Sequence, residues 1–147
     1  MKIGILTIGN ELTSGRIQDT NSALIARAMQ EQGWGVAGMI SVGDDDGAIH
    51  DAFAYLLARV DGVIVTGART SEPPSVAELR RVKKSARVPV LIGSGMTPEN
   101  LKSYFPFADG FIVGSTFRQD GRFLGALEPK RLDAFMRVFR ALREQQA

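Results

Sequence analysis

The segment Asp61-Gly62-Val63-Ile64-Val65-Thr66-Gly67 lies near the middle of the 147-residue chain and has the composition of a buried β-strand. It contains a run of uncharged β-branched residues between two glycines. A strand that is apolar on both faces is typical of a parallel sheet, because helices cover both faces of such a sheet. This segment therefore predicts an inner strand of a parallel α/β fold.

The same unit, a strand followed by a turn and a helix, recurs along the chain. Short β-branched runs predict strands at residues 3–8, 35–42, 62–66, 89–92 and 110–113. Helical periodicity predicts helices at residues 21–32, 48–60 and 129–145, and two more that begin near Ser75 and Thr97. Ser75 and Glu78 have the spacing of a capping box, and Pro98 suits a first helical position. Five such units predict a single domain over residues 1–147 with an all-parallel sheet.

The composition is that of an ordinary globular domain, with 44% hydrophobic and 23% charged residues. The apolar runs are too short to cross a bilayer, and the N-terminal residues lack the pattern of a signal peptide. We therefore expect a cytoplasmic protein without a membrane partner. The sequence has no cysteine, which excludes disulfides and thiolate metal sites.

Basic residues are concentrated in the second half of the chain. Residues 1–68 have a net charge of −4, and residues 69–147 have a net charge of +6. This asymmetry has two interpretations: a basic face for nucleic acid or phosphorylated ligands, or two helices with solvated outer faces. We favour solvated helices and do not expect nucleic-acid binding.

The first half of the chain carries a set of polar loop motifs. They are Ile8-Gly9-Asn10-Glu11-Leu12-Thr13-Ser14-Gly15-Arg16, Asp19-Thr20-Asn21, Ser41-Val42-Gly43-Asp44-Asp45 and Val65-Thr66-Gly67. In these motifs the chain resembles the molybdopterin-binding domain family of MoaB, MogA and the N-terminal part of CinA, and most closely the CinA branch. The resemblance implies three strands in the order 2-1-3, with ligand near the Gly-Asn-Glu loop and the loop after Thr66. That second loop lacks the family's second glycine, so adenylyl transfer and molybdate insertion are not expected.

The second half carries a different set of motifs. They are Val63-Ile64-Val65-Thr66-Gly67, Pro73-Pro74, Val88-Pro89-Val90-Leu91-Ile92-Gly93-Ser94-Gly95, Thr97-Pro98-Glu99-Asn100 and Ala108-Asp109-Gly110-Phe111-Ile112-Val113-Gly114-Ser115-Thr116. From about Asp61 onward the chain resembles the closing strands of a phosphate-binding (β/α)8 barrel of the BtpA family. The resemblance implies sequential neighbouring strands and paired phosphate-binding loops.

Combining the two resemblances predicts the fold and a first hypothesis for function. The orders 2-1-3 and 3-4-5 join into 2-1-3-4-5, a flavodoxin-like three-layer α/β/α sandwich. We interpret residues 1–67 as molybdopterin-binding-like and residues 68–147 as a segment derived from a TIM barrel. On this interpretation the chain is an engineered or chimeric de novo scaffold without native catalytic activity, so we do not expect an enzyme. The alternative is a divergent molybdopterin- or nucleotide-binding enzyme of the MoaB/CinA type.

Two glycine-rich loops predict a ligand site at the carboxyl ends of the strands. The predicted phosphate-binding residues are Gly93, Ser94, Gly95, Gly114, Ser115 and Thr116. Glycines allow close approach of an anion and hydroxyls donate hydrogen bonds, although glycine also permits a tight turn with no ligand. The expected partner is a phosphate or nucleotide, and no cofactor is assigned.

A second ligand loop is predicted at the end of the first strand. Its residues are Asn10, Glu11, Thr13, Ser14, Thr66 and Gly67. Asp44, Asp45 and Asp46 are interpreted as a turn before a helix, and His50 as a surface residue, so no metal site and no catalytic residue are predicted. The two edge strands leave unpaired backbone groups, which allows a homodimer.

Overall fold

A central strand, β3 (Gly62–Gly67), has all six residues buried in a computed structural model that describes residues 1–69, 71–121 and 125–145. Four further strands are parallel to it: β1 (Lys2–Ile8), β2 (Gly35–Val42), β4 (Val90–Gly93) and β5 (Gly110–Ile112). The strand order is β2-β1-β3-β4-β5. The predicted flavodoxin-like order is therefore confirmed.

Within the described ranges, six α-helices connect or follow the strands. They are α1 (Asn10–Thr13), α2 (Thr20–Glu31), α3 (Asp46–Leu57), α4 (Val76–Ser85), α5 (Leu101–Tyr104) and α6 (Pro129–Glu144). The predicted capping box begins α4, since Ser75 and Glu78 each accept the other's backbone N–H. The helix expected to begin at Pro98 begins later than predicted. Thr97 and Asn100 hydrogen-bond each other across a turn, and α5 begins only at Leu101.

The two helical layers are unequal. Helices α3, α4, α5 and α6 all pack on one face of the sheet, where they bury Phe53, Leu56, Leu79, Leu101 and Phe135. Among the helices of the described residues, only α2 packs on the opposite face, where Ile25 completes a small core with Ile3, Ile5 and Ile64. Helix α6 is held on the larger layer by aromatic contacts such as Phe117 with Phe135, whose ring centres are 5.2 Å apart. As a result, the α2 face is only partly covered over β4 and β5, where Leu91 and Ile112 are half-buried.

Strand β2 forms one edge of the sheet and is exposed on alternate residues. It carries no charged residue, and the Met39 side chain at its centre is 53% exposed. Within the described residues, no helix is long and apolar enough to cross a membrane.

Candidate functional site

The two predicted phosphate loops lie side by side at the carboxyl edge of the sheet. Gly93-Ser94-Gly95 ends β4, and Gly114-Ser115-Thr116 follows β5. The Ser94 N–H donates to the Ile112 carbonyl at 3.2 Å, which joins the two strand ends. The structure therefore brings all six predicted residues to the same edge.

The glycines of the first loop are in close contact with protein atoms. A Cβ at Gly93 would lie 2.8 Å from Ile25, and a Cβ at Gly95 would lie 2.3 Å from Pro73. On its other side, the Glu72-Pro73 segment packs against Gly67, where a Cβ would lie 2.7 Å from the Glu72 oxygen. This segment is thus held between two glycines. By contrast, no atom lies within 4 Å of a Cβ at Gly114.

Two serines at this edge have unusual backbone conformations. Ser71 has φ 68° and Ser94 has φ 90°, in the region that side-chain-bearing residues rarely adopt. The Ser94 hydroxyl donates to the Glu72 carbonyl at 3.0 Å and lies 3.0 Å from the Thr66 hydroxyl. The Ser71 hydroxyl donates to the Ser115 hydroxyl at 2.8 Å. Backbone strain of this kind costs about 1–3 kcal/mol for each residue and concentrates at functional sites.

Ser71 was not predicted from the sequence. The available signal was its position in the loop after Thr66-Gly67, where the resembled family has a glycine-rich ligand loop. The hydrogen bond to Ser115 spans 44 residues and depends on the sheet order, so only the fold reveals it.

A slot of about 270 Å³ opens between α2 and the end of β5. We call it the α2–β5 slot. Its walls are apolar and come from Leu24, Ile25, Ala28, Ile112 and Val113. Its polar end is formed by Asn21, Ser71, Ser94, Gly114 and Ser115. The slot exists because a single helix covers this face of the sheet.

A second cavity of about 400 Å³ lies on the other side of the Ser71–Ser115 hydrogen bond, and we call it the outer pocket. Thr97, Glu99, Thr116 and Arg131 line it. The Arg131 Nε donates to Glu128 at 2.6 Å, so the charge of the guanidinium is partly balanced. A hydrogen bond from the Thr97 side chain lowers the pKa of Glu99 below its ordinary value.

The predicted second loop is divided by the fold. Asn10 pairs with Asp44 through two hydrogen bonds, of 2.9 and 3.1 Å, on the side of the sheet edge next to β2. Thr13 and Ser14 bond carbonyls of their own turn, and Glu11 lies in the same turn. Thr66 and Gly67 are buried beside Ser94 instead, where the Asn21 amide donates to the Thr66 hydroxyl and the Gly67 carbonyl. The two parts approach each other at Gly9, where a Cβ would lie 2.5 Å from that of Ala68.

Asp19, which belongs to one of the motifs of the resembled molybdopterin-binding family, organises the start of α2. Asp19 accepts hydrogen bonds from the hydroxyls of Thr7, Ser22 and Ser41 and from the Ser22 N–H. Burial alone would raise the pKa of Asp19, but these hydrogen bonds outweigh it, so the pKa lies below its ordinary value. Asp19 therefore ties β1, β2 and α2 together beneath the site.

The consecutive acids Asp44, Asp45 and Asp46 point to three different partners. Asp44 bonds Asn10, Asp45 caps α3 through the Ala48 N–H, and Asp46 pairs with Arg81 at 2.8 Å. His50 is exposed and lies 3.4 Å from Asp51. Among the described residues, no group of acids or histidines has an arrangement that would hold a metal ion.

Known proteins match the chain in two overlapping parts. The model of the BtpA family matches residues 46–141, and that of a "probable molybdopterin binding domain" matches residues 4–73. A CinA-like protein of Syntrophus aciditrophicus is 57% identical over 67 residues, which cover 46% of this chain and 16% of that protein. An uncharacterized protein of Pyrococcus horikoshii is 39% identical over 84 residues, which cover 57% of this chain and 32% of that protein. The chain thus spans at most about a third of either relative.

A crystal structure of a molybdopterin biosynthesis protein from Mycobacterium abscessus shares the fold. It has a TM-score of 0.50 and 15% identity, and the match covers 98% of this chain and 95% of that one.

These similarities correct the expected function and show the family to which the chain belongs. The interpretation as an engineered or chimeric scaffold is wrong, because the matches point to the alternative of a protein of the MoaB/CinA type. The BtpA model covers about two thirds of the residues. The chain therefore belongs to the BtpA family, and its first half is similar to a molybdopterin binding domain.

Proposed function

We propose that the chain is a ligand-binding domain of the MoaB/CinA type and binds a phosphorylated heterocycle, such as a nucleotide or a pterin, at the carboxyl edge of the sheet. The observation that carries this proposal is the pair of strained serines. Ser71 and Ser94 come from loops after different strands, and both line the α2–β5 slot. Strained backbone conformations cluster at ligand-binding and active sites, which is why two of them at one cavity support a ligand site there.

The slot suits the ring of such a ligand. Leu24 and Ile25 on α2 oppose Ile112 on β5, so a flat ring would be held between two apolar walls. Binding sites for small molecules are commonly apolar with a few polar groups at one end, and here hydroxyls and the Asn21 amide form that end.

The phosphate would lie where the slot meets the outer pocket. The hydroxyls of Ser71 and Ser115 face each other there and bond each other at 2.8 Å. The backbone N–H groups of Gly114, Ser115 and Thr116 donate to no acceptor within the described part of the chain. When an anion binds at this point, the hydrogen bond between the two hydroxyls would be replaced by several charge-assisted hydrogen bonds from these hydroxyls and backbone N–H groups to the anion. Arg131 stands nearby, although a phosphate would compete with Glu128 for it.

The proposal is one of binding, and it assigns no reaction. The described residues that line the two cavities include a single carboxylate, Glu99, and no histidine. A hydroxyl nucleophile would need an adjacent base, and the Ser94 hydroxyl contacts only a carbonyl and another hydroxyl.

Calorimetric titration with GMP, guanosine and inorganic phosphate tests the proposal. We expect GMP to bind more tightly than guanosine, and Ser115→Ala to weaken GMP binding about 5- to 10-fold while leaving guanosine unchanged. Ala28→Trp should abolish binding because the indole fills the slot.

Ala77→Trp is the matched control, since Ala77 is also an exposed helical alanine but lines neither cavity. GMP binding that survives Ala28→Trp, or no GMP binding to the wild-type chain, would contradict the proposal.

A further inference from the structure

A long surface furrow runs between α3 and α4 on the opposite side of the sheet from the α2–β5 slot. It consists of two adjoining cavities of about 190 and 630 Å³, which share His50, Phe53, Lys84 and Ser85. The residues of α3 and its C-terminal cap along it extend from Asp46 to Ala58. At 1.5 Å per residue this is a length of about 18 Å, enough for about three turns of a bound helix.

The α4 wall of the furrow is cationic. Arg81, Lys84 and Arg87 recur every three residues and line this wall. Arg81 pairs with Asp46, which is the only carboxylate among the described residues that line the furrow. Lys84 and Arg87 have no acidic partner within the described part of the chain. Two positive charges on this wall are therefore available to a partner.

The remaining surface of the furrow is small and apolar. Ala54 on α3 and Ala58 at its C-terminal cap are exposed and about one turn apart, so a partner backbone can approach this wall closely. Leu57 and Val88 are half-buried at the base, above the buried ring of Phe53. An apolar floor beside a cationic wall is the arrangement that binds an amphipathic helix laid into a groove.

We propose that the α3–α4 furrow is a docking surface for an acidic amphipathic helix of another protein. Charge complementarity selects this partner, because acidic side chains would face Lys84 and Arg87 while leucine-like side chains cover Ala54, Leu57 and Val88. A nucleic acid is disfavoured as the occupant because it would leave the apolar floor uncovered and contact only two unpaired cations. The proposal is independent of ligand binding at the carboxyl edge, since the furrow shares no residue with either cavity there.

Fluorescence anisotropy tests the proposal with a labelled helical peptide in which leucines recur every three to four positions between glutamates. We expect saturable binding at low salt that weakens as salt is added. The double variant Lys84→Glu/Arg87→Glu should weaken binding at least about tenfold. The matched control, Lys102→Glu/Arg140→Glu, makes the same change of net charge at exposed positions outside the furrow and should leave binding within about twofold.

A second variant tests the apolar side of the furrow without changing charge. Ala54→Trp should abolish peptide binding by filling the furrow. Gln30→Trp, at an exposed position of α2, is the control and should leave peptide binding unchanged. Thermal melts establish that each variant is folded. Three results would each overturn the proposal: no binding of the peptide at low salt, equal binding of a peptide with lysines in place of the glutamates, or binding of duplex DNA in preference to the acidic peptide.

Discussion

Replacing Gly95 with alanine is a direct test of the way the Glu72-Pro73 segment packs against the end of β4 at the carboxyl edge. Gly95 has φ +70°, and a Cβ there would lie 2.3 Å from Pro73. The left-handed backbone costs an alanine about 1–2 kcal/mol. The overlap with the Glu72-Pro73 segment adds about 1–3 kcal/mol, because backbone and ring atoms cannot move aside as a flexible side chain can. We therefore expect Gly95→Ala to lower the free energy of unfolding by about 2–5 kcal/mol in total.

Gly15→Ala separates the two contributions. Gly15 has φ +72°, almost the same as Gly95, but no atom lies within 4 Å of a Cβ there. It should therefore lose only the backbone contribution of about 1–2 kcal/mol. Urea denaturation of both variants and the wild-type chain measures the difference. Equal destabilisation by the two substitutions would refute the contact between Gly95 and the Glu72-Pro73 segment, and with it the packing that positions Ser71 and Ser94.

Other consequences of the structure can be measured separately. Asp19→Ala should lower the free energy of unfolding by about 2–3 kcal/mol at pH 7, because α2 loses its cap and three hydroxyls lose an acceptor. The pKa of Asp19 in the folded chain is depressed, so its contribution to the free energy of unfolding is fully present above the ordinary carboxylate pKa. This contribution should shrink as the pH is lowered through the folded pKa. A stability difference between wild type and Asp19→Ala that stays constant from pH 7 to pH 3 would contradict this. Asp51→Ala, at an exposed carboxylate beside His50, is the control and should change stability by less than about 0.5 kcal/mol. We also predict a homodimer that pairs through the uncharged edge strand β2, and light scattering should detect it. Met39→Lys should dissociate this dimer, because it places like charges opposite each other at the centre of the strand. A monomeric wild-type chain would exclude the dimer. Finally, the chain should unfold in one calorimetric transition, because the core on the α3–α6 side contains residues from both halves, and two separate transitions would contradict a single domain.

The sequence was sufficient for the sheet order but not for the distribution of helices. The β-branched runs and the two resemblances gave strands that pair as expected, since buried parallel strands leave few alternative orders. The placement of α6 depends on contacts of Phe139 with Phe105 and Phe111, from which it is distant along the chain. Those contacts leave α2 alone on its face and so create the α2–β5 slot, which no local pattern contains.

Some of the site residues could be predicted from the sequence, and others could not. Ser94, Gly114 and Ser115 follow predicted strands, so their common position at the sheet edge could be derived from the sequence. Ser71 could not, because its backbone conformation and its bond to Ser115 are consequences of the tertiary fold. Gly93 and Gly95 have the pattern of an anion loop, yet their missing side chains make room for Ile25 and Pro73. A glycine motif alone does not distinguish these two roles.

The most direct test of ligand binding at this edge is a two-dimensional amide NMR titration of the isotope-labelled chain with GMP. We predict that the backbone signals of Ala28, Ser71, Ser94, Gly114 and Ser115 shift together and saturate, and that the signals of Asn10 and Thr13 stay in place. Shifts confined to residues 10–14, or no shifts at all, would contradict the account.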